Sequence, residues 1–335
     1  MTVADRVRAL LDDIEAAPDE LAAVVQAQAV AIREIPLGAL ARPAWRFTGM
    51  GSSRFAALDA AARLRASGRD AHAELASASG GSAGGRDTLV VAISASGRTA
   101  QAVAAAERHR GSSFVVGLTA RGDSALAGAA DAVVPLAATV AETSGIATMT
   151  YRATVAALAA LVDDGDAEAL RRRLGTAPDA LRALLGGGSA WAHGAADVLD
   201  GGRPVHVLGD GLRAGLVEQA ALMLREAPRL AATAWDTGDW LHVGVYTLVP
   251  GDPVLLYAGS PADDEAVGVI RARGGRIVAV GGDVPEAEVN VPLPESALDD
   301  PVVRALVEPA VAELLAAELW SRTTAQEVVE ANPPG

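Results

Sequence analysis

Thr88-Leu-Val-Val-Ala-Ile-Ser-Ala-Ser-Gly-Arg-Thr-Ala100 is the stretch on which the reading of this chain turns. Leu89 to Ile93 form an unbroken apolar run, the pattern of a strand buried on both faces. A Ser-x-Ser-Gly-x-Thr turn follows, and then an alanine-rich helix. The turn reads as an anion cradle. Ser94, Ser96 and Thr99 offer hydroxyls around Ala95, Gly97 permits close backbone approach, and the unpaired N–H groups opening the helix add the positive end of its dipole. A phosphate monoester fits those groups. The competing use of the same hydroxyls is simply to cap helices.

Upstream, Trp45-Arg-Phe-Thr-Gly49 reads as a second strand that runs into Met50-Gly-Ser-Ser-Arg54 and the helix Phe55–Ala66. Gly51, Ser52 and Ser53 therefore make a loop of the same kind, and two strand ends face one pocket. From Trp45 onward short β-rich runs (45–49, 71–75, 88–94, 113–119, 131–135) alternate with helical segments near 52–66, 97–109, 123–129 and 146–163. That alternation predicts an α/β fold, a parallel sheet with helices on both faces. Before it, residues 3–35 carry a helical period, with Pro18 predicted to separate two helices. Helices around 167–185 lead to Gly186-Gly-Gly-Ser189, read as a boundary. The expected organisation is N-terminal helices over 1–40, a first domain over 41–185 and a second over 186–335.

The second half repeats the first in outline. Strands are expected at 204–209, 253–258 and 276–280, with helices at 212–225, 263–273 and 301–321. Its counterpart of the cradle is Gly259-Ser-Pro-Ala-Asp-Asp-Glu265. There three carboxylates crowd the helix start and would repel phosphate, so one phosphate site per chain is expected, in the first half.

Composition narrows the function classes. The chain has 335 residues, 50% of them hydrophobic, enough for two ordinary domains with substantial cores. No apolar run reaches the roughly 18 residues of a membrane span, and the start lacks a secretory pattern, so no membrane partner and a cytoplasmic location are expected. A net charge of −14 argues against nucleic acid. There is no cysteine, which removes thiol nucleophiles and thiolate metal sites, and no cofactor or metal is expected. All 28 basic residues are arginine. Without a lysine amine, no side chain can form a Schiff base with a sugar carbonyl.

These loops resemble those of the sugar isomerase (SIS) domain family, most closely the paired SIS domains of glucosamine-6-phosphate synthase and of sugar-phosphate isomerases and deaminases. The likeness spans nearly all of the chain after about residue 40. It implies two flavodoxin-like α/β/α sandwiches and a phosphosugar ligand held by the loops resembling Gly51-Ser52-Ser53 and Ser94–Thr99. Thr143-Ser-Gly-Ile146-Ala-Thr148 resembles a third segment at the sugar. The resemblance further implies that Glu226 moves the proton between C1 and C2, that His242 opens the ring from a partner subunit, and hence a homodimer. A carboxylate against apolar walls and an imidazole suit those tasks.

Read from the residues alone, Glu226 is equally a helix-end carboxylate paired with Arg225 or Arg229, His242 a structural histidine, and Trp235 and Trp240 either walls of the site or core. His72, His109, His193 and His206 read as structural or surface residues. The chain also departs from the family. Met223 stands where the isomerases carry a lysine, and Ala331-Asn-Pro-Pro-Gly335 lacks the lysine-bearing end of the family's tail. Ala76-Ser-Ala-Ser79 lacks the usual acidic residue and runs into a glycine loop, Gly80–Gly85, expected to be flexible. The expected function is binding of a hexose or hexosamine 6-phosphate, as an aldose–ketose isomerase or amino-sugar phosphate deaminase. A non-catalytic phosphosugar sensor is the alternative.

Overall fold

The computed structural model describes residues 2–78, 81, 84–136, 142–163 and 167–323. Part of the Gly80–Gly85 loop and the tail at 331–335 lie outside the described residues. The chain forms two compact units. One comprises Pro18–Ala141 and Met149–Pro178, the other Met1–Ala17, Glu142–Thr148 and Asp179–Gly335.

Helix α1 (Val3–Arg33) and the short α2 (Leu37–Leu40) precede β1 (Ala44–Gly49), α3 (Ser52–Ala66), β2 (Asp70–Leu75), β3 (Thr88–Ile93), α4 (Ala100–His109), β4 (Phe114–Thr119), α5 (Ala125–Ala129), β5 (Ala132–Pro135) and α6 (Met149–Val162). The five strands form one parallel sheet in the order β2-β1-β3-β4-β5. Central β3 is buried along its whole length, which is why its sequence shows no alternation. Helix α3 packs on β1, β2 and α6 through Ala56, Ala57, Ala60, Ala61 and Leu64, small residues that allow close approach to the sheet. Because β1 pairs with β2 on one side and β3 on the other, the chain reverses its direction of winding between β1 and β3. In open α/β sheets such a point opens a crevice at the carboxyl ends of the strands.

Next come α7 (Ala167–Leu199), β6 (Val205–Gly209), α8 (Ala214–Glu226), β7 (Ala232–Asp236), α9 (Thr237–Trp240), β8 (Pro253–Tyr257), α10 (Asp263–Ala272), β9 (Arg276–Val280), β10 (Val289–Val291), α11 (Glu295–Leu298), α12 (Pro301–Val307) and α13 (Pro309–Arg322). Their sheet is also parallel and five-stranded, in the order β10-β9-β8-β6-β7. The α/β class and the two parallel sheets are therefore as the sequence implied. No helix among the described residues is long and apolar enough to cross a membrane.

Three local readings are corrected by packing. Pro18 does not divide two helices, because Leu10, Ile14, Ala17, Leu21 and Val24 bury one continuous stripe across it. Nor does Gly186–Ser189 break the chain, since α7 runs through it. A Cβ at Gly188 would lie 2.7 Å from Leu314 Cδ1, so glycine there permits the close approach of α7 and α13. The expected closing helix at 301–321 is two helices, α12 and α13, parted at Glu308-Pro309. Strands β7 and β10 were not predicted. Their short runs, Ala-Thr-Ala-Trp-Asp and Val-Asn-Val, carry too little apolar sequence to stand out.

Candidate functional site

The cradle is built as its sequence indicates. Pairing of β1 with β3 sets the loop at 50–53 beside Ser94–Thr99, so the two hydroxyl loops share one end of one sheet. Ser94 Oγ donates to Thr99 Oγ1 at 3.0 Å, and Arg98 N donates to Ser96 Oγ at 3.2 Å. The carbonyl of Ala95 accepts from Ala120 N (2.9 Å) and Thr119 Oγ1 (3.3 Å), which fixes the turn against the end of β4. Helix α4 has Thr99 at its N-cap and α3 has Gly51, yet neither cap is closed by a side-chain hydrogen bond. The Thr99 hydroxyl is thus not spent on capping α4.

Two glycines impose the loop geometry. Gly97 has φ +63° and a Cβ there would overlap the side chains of Ser124 and Thr119. Gly51 has φ +51° with nothing within 4 Å of the position a Cβ would take. The turn after β8 in the other sheet is filled by its own chain: Asp263 Oδ2 accepts from Gly259 N at 2.7 Å and Ser260 N at 2.9 Å, where a phosphate oxygen would otherwise sit.

In the second unit, the segment at 142–148 is held on both sides. Asp13 of α1 accepts from Thr143 N and Oγ1 and from Ser144 N at 2.9–3.1 Å. Thr148 N donates to Glu142 Oε1 at 2.7 Å, and Gln219 Nε2 of α8 donates to Ala147 O at 3.2 Å. The N–H of the buried Ile146 donates to Ser144 Oγ at 3.1 Å. Gln219 thereby links this segment to the helix that ends in Glu226. Sequence reading passed over Asp13 and Gln219. Gln219 carried a local signal, a polar residue within the apolar face of Leu216, Ala220 and Met223. For Asp13, whose contacts lie 130 residues away, there was none.

Glu226 is half-buried, and burial raises its pKa above the ordinary glutamate value, with Arg229 and Arg225 opposing the shift. Its place at the last residue of α8, the negative end of the dipole, works in the same direction as burial. Arg225 donates to Ala232 O at 3.1 Å. Arg229 holds φ +61°, a left-handed conformation uncommon outside glycine, and Leu230 N closes the helix end on Leu224 O. Met223 is buried in the core.

His242 follows α9 and is exposed, its N–H donating to Asp239 O at 3.0 Å. Of the tryptophans, Trp240 is fully buried and donates from Nε1 to His206 Nδ1 at 3.1 Å, so both belong to the core. Trp235 packs against that same cluster. Among the described residues no three His, Asp or Glu side chains gather as a metal site.

The His206–Trp240 pair makes a pH prediction. Burial depresses the His206 pKa, only partly offset by Asp252. The folded protein therefore binds fewer protons than the unfolded chain below the usual histidine value of about 6.5, and stability falls as pH drops through that value. In His206→Gln, urea midpoints measured between pH 7.5 and 5.5 should change less than in wild type. Equal slopes would refute the assignment.

Residues 46–163 match the SIS domain family. The glutamine–fructose-6-phosphate aminotransferase (isomerizing) of Aeropyrum pernix is 30% identical over 118 residues, which make up 35% of this chain and 19% of that protein. Among solved structures, the tagatose-6-phosphate ketose/aldose isomerase of Escherichia coli superposes with a TM-score of 0.78 at 18% identity, covering 94% of each chain. The C-terminal domain of glucosamine-fructose-6-phosphate aminotransferase from Francisella tularensis gives 0.74 at 15% identity, covering 93% of this chain and 96% of that one. At such identities the structures establish a shared fold.

Proposed function

We propose that the protein binds a sugar phosphate and interconverts its aldose and ketose forms. The observation that carries this reading is the cradle at Ser94–Thr99, whose Thr99 hydroxyl stays uncommitted to capping α4, at the winding reversal of the sheet in the stretch that matches the SIS domain family. The relatives' names, a fructose-6-phosphate aminotransferase and a tagatose-6-phosphate isomerase, support a hexose 6-phosphate as substrate class. In the proposed mechanism the cradle hydroxyls and amides hold the phosphate and His242 assists ring opening. Glu226 takes the C2 proton of the open aldose and returns it to C1 through a cis-enediol, with the O–H proton relocating from O2 to O1. A carboxylate whose pKa is raised toward neutrality is suited to accept and return a proton in turn. Loss of ammonia from an amino sugar phosphate would use the same proton abstraction.

The test is a thermal-shift screen of hexose and hexosamine 6-phosphates, followed by NMR of C2-proton exchange in deuterated water. Exchange supports the enzyme. Stabilisation by a ligand without exchange favours the sensor, and no stabilisation by any of them removes both. Ser96→Ala with Thr99→Ala should weaken binding of the stabilising ligand at least about tenfold, since each hydrogen bond to a charged group contributes roughly 1.5–3 kcal/mol. Unchanged affinity would show that the phosphate lies elsewhere.

We also propose assembly as a homodimer. Val243 (50% exposed), Tyr246 (76%) and Val249 (46%) form an apolar surface run beginning beside His242. A second copy covering that run would place His242 in an interface. Light scattering should then give about twice the mass of one chain, and Tyr246→Asp should shift it toward the monomer. A wild-type monomer would refute this.

A further inference from the structure

Both loops of the cradle carry an arginine at the start of the helix they open, Arg54 in the first turn of α3 and Arg98 just before Thr99, the N-cap of α4. Arg54 stands directly after Gly51-Ser52-Ser53, and Arg98 lies between Gly97 and Thr99. Their loops follow β1 and β3, adjacent parallel strands of one sheet, so both cations are delivered to the same end of that sheet. Neither loop, 50–54 or 94–99, contains an Asp or Glu. The turn after β8 is the reverse case, with Asp263, Asp264 and Glu265 opening α10 and Asp263 already on both turn amides. Two related turns of one chain therefore carry opposite charge, in a protein whose net charge is −14.

Arg54 adds a second observation. Its side chain is half-buried, and Nε is buried with no hydrogen-bond partner among the described residues. A buried donor left unpaired costs about 1–3 kcal/mol. The hydroxyls of Ser94, Ser96 and Thr99 recognise an oxyanion but contribute no full charge. A second negative charge on the ligand needs cations to balance it.

We propose that Arg54 and Arg98 make the cradle selective for a dianionic phosphate monoester over a singly charged oxyanion such as a sulfate ester or phosphodiester. This rests on the reading of Ser94–Thr99 as the phosphate site. The arginines determine specificity and take no part in the proton transfer.

Methyl phosphate and methyl sulfate are the probes, titrated at pH 8 and constant ionic strength. A phosphate monoester has its second ionisation near about 6 and is then a dianion, whereas the sulfate ester carries one charge. Wild type should bind methyl phosphate at least about tenfold more tightly than methyl sulfate. Arg54→Gln and Arg98→Gln should each lose about tenfold in phosphate affinity and less in sulfate affinity, and the double variant should lose the preference. Arg98 is exposed, so its variant keeps the test valid if Arg54→Gln folds poorly. Arg54→Lys should recover part of the phosphate affinity.

Variants that keep wild-type affinity and preference would overturn the proposal, as would a wild type that binds the two probes equally. The underlying phosphate-site reading fails separately: in that case Ser96→Ala with Thr99→Ala leaves methyl phosphate binding unchanged, whatever the arginine variants do.

Discussion

Replacing Glu226 by Gln is expected to slow C2-proton exchange in the bound sugar phosphate by about 10²-fold or more, while ligand affinity stays within a few-fold of wild type. Gln keeps the shape and removes the base, so a loss confined to the exchange rate isolates proton transfer from binding. The pH profile sharpens the test. Because burial raises the Glu226 pKa, the ionised base should be lost, and kcat/KM should fall, at a higher pH than for an ordinary glutamate. That acid limb should be absent from the residual rate of the Gln variant. A Gln variant that exchanges the proton at the wild-type rate would leave Glu226 as a helix-end carboxylate. With no lysine in the chain, borohydride should trap no sugar on a side chain at any pH.

Gly97→Ala is expected to destabilise the fold by about 2–5 kcal/mol and to abolish phosphate binding. Roughly 1–2 kcal/mol comes from placing a Cβ residue in the left-handed region and roughly 1–3 from overpacking. The overpacking arises because the added Cβ overlaps Ser124 and Thr119. Gly51→Ala is the internal control. It carries the backbone penalty at φ +51° with open space around the Cβ, so its loss should be about 1–3 kcal/mol, with a folded protein that still titrates. Urea unfolding and methyl phosphate titration on the same preparations read both effects. If Gly97→Ala loses no more than about 1–2 kcal/mol, the backbone penalty alone accounts for it and crowding at Gly97 contributes nothing.

Sequence alone determined the α/β class and the order of most elements, because these follow from local rules. The apolar run Leu89–Ile93 has the composition of a two-faced buried strand, and Ser94–Thr99 carries its donors within six consecutive residues. The absence of lysine was equally readable, and with it the exclusion of imine chemistry. Tertiary structure decided what depends on partners distant in the chain. Pro18 and Gly186–Gly188 look like breaks when only neighbours are considered, yet a continuous buried stripe and the approach of Leu314 hold both within helices. The Asp13 cap on Thr143 and Ser144 and the Gln219 bond to Ala147 join segments far apart in sequence. Local periodicity holds no record of such contacts. Only the fold, by burying one polar group against another, shows which side chains are committed.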